Sequence, residues 1–144
     1  MVRDEIQNHY VLGFCFDPKM EHVLLIWKND GPFPNKLNGL GGHIEDNETS
    51  KEAMLREIKE ETNSDMLIFK VEQISYAKDL ENHFDMYVYY LIVDADLGYY
   101  YNGYEGNVAW WPIDNILSDN MKQHLAGNGN VIDFIQKALK DNKV

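Results

Sequence analysis

The chain predicts a mixed α/β fold in which a mixed central sheet lies between helices. Three observations lead there. Apolar runs of strand length stand both before and after one Glu-rich helical segment,. A second segment with helical periodicity follows near the end of the chain. Strands on both sides of a helix, with another helix after them, imply helices packed on a sheet.

The elements follow in order. Residues His9 to Phe16 and Val23 to Trp27 are apolar runs separated by Asp17-Pro18-Lys19-Met20, which predicts a β-hairpin,. Residues 29–38 contain Gly31, Pro32 and Pro34 and read as a loop,. Residues 37–44 are glycine-rich and predict a short strand that leads to the first helix. Thr49 and Glu52 form the pattern of a capping box, so that helix begins near Ser50,. Asn63 stands at its C-terminal end, where a left-handed residue is often needed and Asn tolerates it. Residues 67–77 and 84–93 read as two longer strands. In the second, Met86, Val88, Tyr90 and Ile92 alternate with Tyr87, Tyr89, Leu91 and Val93, which predicts a central strand covered on both faces,. Residues 94–107 are rich in Gly, Tyr and Asp and read as a loop, followed by a short strand over 108–111 that Pro112 stops. Apolar residues at 131, 132, 134, 135, 138 and 139 predict an amphipathic helix with Asn130 as its N-cap,. No repeat or low-complexity linker interrupts the 144 residues, so residues 1–144 are expected to form one domain,.

Composition narrows the function. With 24 acidic and 13 basic residues the net charge is −11. Nucleic acid polymers and anionic membranes call for a basic surface, so neither is an expected partner. A small phosphorylated ligand stays compatible, because a bound metal ion reverses the local sign. The single cysteine, Cys15, sits in an apolar run and reads as a core filler,. No stretch is apolar enough to cross a bilayer and the N-terminus shows no signal region, so a cytoplasmic location is the default expectation,.

The first helix carries the chemistry. At helical spacing Glu60 and Glu61 fall about 60° and 40° either side of Glu57, so three carboxylates share one face. Met54, Leu55, Ile58 and Thr62 lie on the face turned from them, towards a core,. Exposed like charges at that spacing repel by roughly 0.2–0.5 kcal/mol per pair. Glu-rich helices are commonly plain solvated faces. Here Gly41-Gly42, Glu48 and Arg56 stand at fixed offsets from the acids, and a hard divalent cation is the group such a cluster would hold,.

Gly42, Glu48, Arg56, Glu57, Ile58, Glu60 and Glu61 together resemble the Nudix box, G-x5-E-x7-R-E-U-x-E-E-x-G-U with U a bulky apolar residue. Asn63 and Ser64 depart from its last two positions. The resemblance implies a Nudix-type α/β/α sandwich and a Mg²⁺-dependent hydrolase of phosphoanhydrides, with Mn²⁺ as the other metal. It implies metal ligands at Glu57, Glu60, Glu61 and the carbonyl of Gly41. Arg56 would orient the carboxylates, together with Glu48 through a salt link. Glu105, in Tyr104-Glu105-Gly106, resembles a further ligand or general base, and Glu60 is the other candidate base.

The segment Lys36-Leu37-Asn38-Gly39-Leu40-Gly41-Gly42 is similar to that of Nudix enzymes hydrolysing oxidised purine nucleoside triphosphates. Asn38 would then read the base, unless it only forms the turn beside Gly39. Asp119 and Asn120 are candidates for a second base contact. Lys36 and His43 lie near the glycines and read either as phosphate contacts or as bystanders. Phe33, Trp110 and Trp111 read as stacking or core residues. The expected activity is hydrolysis of a nucleoside triphosphate, such as 8-oxo-dGTP, to a monophosphate and pyrophosphate. Two alternatives stand beside it: hydrolysis of another nucleoside diphosphate derivative (ADP-ribose or a dinucleoside polyphosphate), and a non-catalytic nucleotide sensor. The family resemblance also admits a homodimer.

Overall fold

In the computed structural model, residues 6–31 and 33–143 are described. The first five residues of the N-terminal segment, Pro32 of the expected loop and Val144 lie outside them. Among the described residues, eight strands and three α-helices run β1 (Asn8–Phe16), β2 (His22–Lys28), β3 (Lys36–Asn38), β4 (Leu40–His43), α1 (Ser50–Thr62), β5 (Ile68–Asp79), β6 (Phe84–Val93), β7 (Tyr100–Asn102), β8 (Gly106–Pro112), α2 (Ile113–Ile116) and α3 (Asn130–Asp141). A 3₁₀ helix (Asp119–His124) stands between α2 and α3.

The strands form one sheet in the order β5-β6-β1-β2-β8-β7, with β3 on β2 and β4 on β1. It is mixed, as expected: β1 and β6 run parallel over Asn8–Phe16 and Phe84–Ile92, and the other pairs are antiparallel. The predicted hairpin exists, but β1 and β2 pair only at Cys15↔Leu24 and Phe16↔Val23. Beyond those residues the two strands part. The first half of β1 pairs with β4 (Tyr10↔His43 to Gly13↔Leu40), and the last part of β2 pairs with β3 (Ile26↔Asn38 to Lys28↔Lys36).

Strand alternation divides the core in two. Leu12, Phe14, Phe16, Val23, Leu25, Val88 and Tyr90 pack with Val131, Ile135 and Ala138 of α3. Val11, Cys15, Leu24, Ile26, Tyr89 and Leu91 pack on the opposite face with Ala53, Met54 and Ile58 of α1. The result is the α/β/α sandwich. Strand β6 contributes to both cores, which accounts for its two apolar faces. α1 approaches β1 closely because Gly13 has no side chain: a Cβ there would lie 2.6 Å from the sulfur of Met54.

Three expectations are corrected. The loop over 29–38 ends in β3, whose Leu37 is buried in the α3-side core. The loop over 94–107 contains β7 and the start of β8. Both strands are only a few residues at a sheet edge, too short for periodicity to reveal. Asn130 is the first helical residue of α3 rather than its N-cap; Gly129 takes that place in a left-handed conformation (φ 87°) and offers no side-chain cap. The α2 turn and the 3₁₀ helix between β8 and α3 had no periodic signal. Ile113 and Ile116 tie α2 to the core. Among the described residues no helix is long and apolar enough to cross a membrane.

Candidate active site

The site is assembled on α1 and β4. The capping box is formed: the Thr49 hydroxyl accepts from the Glu52 N–H at 3.1 Å, and the Glu52 carboxylate accepts from the Thr49 N–H at 2.8 Å. Such a cap stabilises a helix by about 1 kcal/mol. At the far end Asn63 adopts φ 50°, ψ 40°, the left-handed conformation anticipated for it. The helix is therefore fixed at both ends, with its acids between.

Arg56 organises one side of the acid cluster. Its Nε and Nη2 donate to the two carboxylate oxygens of Glu48 at 3.0 and 2.6 Å. Nη2 also donates to the carbonyl of His43 at 2.8 Å, and Nη1 donates to Glu57 at 2.8 Å and to Glu60 at 3.3 Å. One planar guanidinium thus ties β4, the turn before α1 and two helix acids together, which Lys could not do with a single point charge. Arg56 holds the Glu48 carboxyl below its ordinary range, and Glu48 raises the guanidinium further in return.

Glu57 and Glu61 face inward, beside Met54 and Ile58 on the buried face. This corrects the reading that set all three acids on the face turned from the core. Glu60 is the acid that turns outward, its side chain 59% exposed and paired with Arg56. The third carboxylate of the cluster comes from another element. Glu105, in the turn between β7 and β8, brings an oxygen within 4.8 Å of oxygens on Glu57 and Glu61. Glu60 falls outside that triad but lines the same cleft as Glu61 and Glu105.

The glycine pair makes room for the buried acids. A Cβ on Gly42 would stand 2.5 Å from a Glu57 carboxylate oxygen, and one on Gly41 would lie 2.0 Å from the carbonyl oxygen of Val11. Gly41 donates its N–H to Glu61 Oε1 at 2.6 Å. The other oxygen, Glu61 Oε2, is buried with no hydrogen-bond partner. Burial pushes the Glu61 carboxyl up to about 8, and Glu105 and Glu57 add to this; Lys28 and the Gly41 N–H oppose it. Glu57 is raised for the same first reason, burial, with Arg56 opposing. Buried carboxylates without compensation are costly. A carboxylate with an orphaned oxygen, clustered with two further carboxylates, is a donor set that fits a hard divalent cation,.

A second cleft of about 290 Å³ lies on the α3 side of the sheet, lined by Leu12, Phe33, Asn38, Met86, Asn130 and Phe134 among others. Asn38 uses its Oδ1 to accept the Gly39 N–H at 2.8 Å, so it closes a turn and faces a cleft at once. Asp119 and Asn120 do not line this cleft. They sit on the exposed 3₁₀ helix, where Asp119 pairs with Lys122 at 3.2 Å. The chain then doubles back: Ala126 donates to the Leu37 carbonyl at 2.8 Å, and this carries Ala126, Gly127 and Asn130 to the cleft. Asn130 is the amide that sequence reasoning missed as a cleft residue; its capping pattern was the more visible signal. Trp110 is buried in the α1-side core, Lys36 bonds to the Gln123 carbonyl, and His43 packs on Tyr10 with ring centroids 4.3 Å apart.

A family model of the NUDIX domain matches residues 8–132. The chain belongs to the Nudix family and is a Nudix hydrolase, a class acting on nucleoside diphosphate derivatives. Solved structures share the fold. A MutT described from the fish pathogen Aliivibrio salmonicida and from Vibrio cholerae matches with a TM-score of 0.66 at 15% identity, covering 93% of this chain and 97% of its own. A NUDIX hydrolase from Nitrosomonas europaea matches at 0.67 and 20%, covering 94% and 90%. The NUDIX domain of Shewanella oneidensis NrtR, solved with ADP ribose, matches at 0.64 and 17%, covering 95% and 89%. No curated protein matches in sequence.

Proposed function

We propose that this protein hydrolyses the phosphoanhydride of a purine nucleotide with Mg²⁺, or Mn²⁺, held by Glu57, Glu61 and Glu105. Glu60 and the Gly41 carbonyl are the further ligands of this reading. The observation that carries it is the buried, unpartnered Oε2 of Glu61, on a carboxylate clustered with those of Glu57 and Glu105. Bound there, the ion would polarise a phosphoryl oxygen and lower the pKa of a water. The chain's own residues do the rest. Glu48 steadies Arg56, and Arg56 holds Glu57 in place through its Nη1. Glu60 and Glu105 remain the two candidates to take the proton from the attacking water. Both line the cleft beside the acids,.

Asn38 and Asn130 would read the base in the α3-side cleft, since each amide offers both donors and an acceptor. Phe33 and Phe134 give that cleft aromatic walls,. The first substrate of this reading is a purine nucleoside triphosphate such as 8-oxo-dGTP, cut to the monophosphate and pyrophosphate. The second is a nucleoside diphosphate joined to another organic group. It is favoured by one observation: among the described residues that line the cleft beside the acids none is Lys or Arg, although Arg56 bonds to Glu60 there. Residues 1–144 would act as one Nudix domain on free nucleotides, in line with the net charge of −11,.

Incubation with Mg²⁺ and either 8-oxo-dGTP or ADP-ribose, with products separated by ion-exchange chromatography, tests this. Mg²⁺-dependent release of a nucleoside monophosphate is expected. No turnover of either, together with unchanged Mg²⁺ affinity in Glu61→Gln, would remove the proposal.

A further inference from the structure

The sheet ends on two unequal edges. At one end β7 is three residues long; at the other β5 runs for 12 residues and pairs only with β6. Among the described residues no strand covers the outer side of β5, and an open edge of this length is a template for a further strand,. Exposed apolar side chains gather along it. Of the eight large hydrophobic residues exposed among those described, Leu67, Phe69, Tyr76 and Leu80 lie on β5 or one residue from its ends. The charge balance also differs here from the rest of an acidic chain. Lys137 and Lys140 of α3 line a groove with Glu72 and Asp141, and Lys70 donates to Asn142 beside it at 3.2 Å.

The ladder of β5 sets which stretch can pair. Its register shifts between Ile68 and Lys70, and again between Gln73 and Ser75. Bulges of this kind bend a strand and interrupt pairing. Between them Lys70, Val71, Glu72 and Gln73 run in unbroken register with Ile92, Leu91, Tyr90 and Tyr89. Residues directly opposite in a ladder share a face. Ile92 and Tyr90 belong to the α3-side core and Leu91 to the α1-side core, so Lys70 and Glu72 face α3 while Val71 faces α1.

That stretch is complementary to itself. Pairing two copies antiparallel about a twofold axis at Val71 sets each Lys70 opposite the partner's Glu72, and Val71 opposite Val71. Phe69 then meets the partner's Gln73. A slip of two residues either way sets Lys70 against Lys70 or Glu72 against Glu72, and like charges directly opposite are destabilising. A slip of one residue turns the apolar face to the wrong side. Charge and face together leave one register.

We propose that the β5 edge is a homodimer surface, and that its occupant is a second copy of this chain joined antiparallel at Lys70–Gln73. The contact is isologous, with two Lys70–Glu72 pairs across the seam and one continuous sheet through both copies. It lies at the sheet edge opposite β7 and the turn that carries Glu105, so its test involves no turnover.

Sedimentation velocity over a range of concentrations should show the wild type passing from monomer to dimer. Glu72→Lys alone and Lys70→Glu alone should each weaken association about tenfold, since two attractive pairs become repulsive. The double variant Lys70→Glu/Glu72→Lys should return to within about threefold of wild type, because the exchange restores both pairs. A wild type that stays monomeric throughout, a dimer that Glu72→Lys leaves unchanged, or a double variant no stronger than the single ones overturns the proposal. Thermal melting checks that each variant is folded. Val71→Cys decides the register if a charge variant is not. Opposed residues in an antiparallel pair have Cα atoms about 4.5–5.5 Å apart, a span that a disulfide bridges. With oxidised glutathione as oxidant, Val71→Cys should form a linked dimer, and the buried Cys15 does not compete. Phe69→Cys, roughly 13 Å from its own copy in this register, should not. Equal linking of the two variants, or none in Val71→Cys, overturns the proposal as well.

Discussion

The two sides of the acid cluster on α1 differ in how completely their charges are answered. On the outer side Glu48, Arg56 and Glu60 form a satisfied network, and the same guanidinium also reaches the His43 carbonyl and, across to the inner side, Glu57. On the inner side Glu57, Glu61 and Glu105 face one another, and Glu61 keeps a buried oxygen without a partner. On the proposed reading the outer half is scaffold and the inner half is the cation site. A fold tolerates such uncompensated burial where function requires it, and neighbouring contacts must then keep it in place.

Breaking the inner half should give the largest effect. Glu61→Gln is expected to lower Mg²⁺-dependent hydrolysis by about 10³, because several kcal/mol of charge stabilisation go with the ligand. The metal-free Tm should hold near neutral pH, since the raised Glu61 carboxyl is then largely protonated and a neutral amide of similar shape replaces it; melting by circular dichroism alongside turnover checks both. A variant that lost its fold instead would place Glu61 with the scaffold and erase the contrast.

The outer half should respond differently. Arg56→Lys keeps a charge but loses the fork, so Glu57 is no longer held. Activity should fall about 10- to 100-fold, the usual size for a group that orients a ligand. Unlike Glu61→Gln, it should also lower the metal-free Tm, because Glu48 and Glu57 lose their shared partner. Equal melting curves for Arg56→Lys and wild type would contradict the scaffold role.

The Asn130 amide predicts a smaller effect, on KM. Asn130→Ala should raise KM for a purine nucleotide about tenfold, while Asp119→Ala, on the exposed 3₁₀ helix, should stay within about twofold. Steady-state kinetics on both variants decides whether the structure or the linear alignment places the second base contact.

The mildest and most diagnostic effect is on pH. Glu61 has a carboxyl pKa of about 8 in the folded protein, above its ordinary 4.5. The folded chain therefore keeps a proton that the unfolded chain releases. This group's contribution to stability is full below about pH 4.5 and is lost as pH rises towards 8. The metal-free Tm should decline by several degrees across that window, and Mg²⁺ should flatten the decline by binding the ionised form. A metal-free Tm that rises from pH 5 to 8 would show that Glu61 is ionised and already compensated.

Local chemistry made α1 readable. Its capping box, its left-handed Asn63 and the spacing of Arg56 from Glu48 and Glu60 all depend on contacts within a few turns of chain, where helical geometry converts sequence distance into space. The same holds for β6, whose alternation reports two covered faces without reference to any neighbour. The sequence could name the glutamates but not sort them. Glu57 and Glu61 turn inward, and Glu60 outward, because α1 docks on β4 and β1 in one particular rotation, with Met54 seated over Gly13. Glu105 joins them across forty-odd residues only because the β7–β8 turn is pressed against β2. Asn130, and not Asp119 or Asn120, lines the second cleft because the chain doubles back to pair Ala126 with Leu37. Periodicity records which residues seek burial; which of them meet is settled by how whole elements pack, and no local pattern contains that.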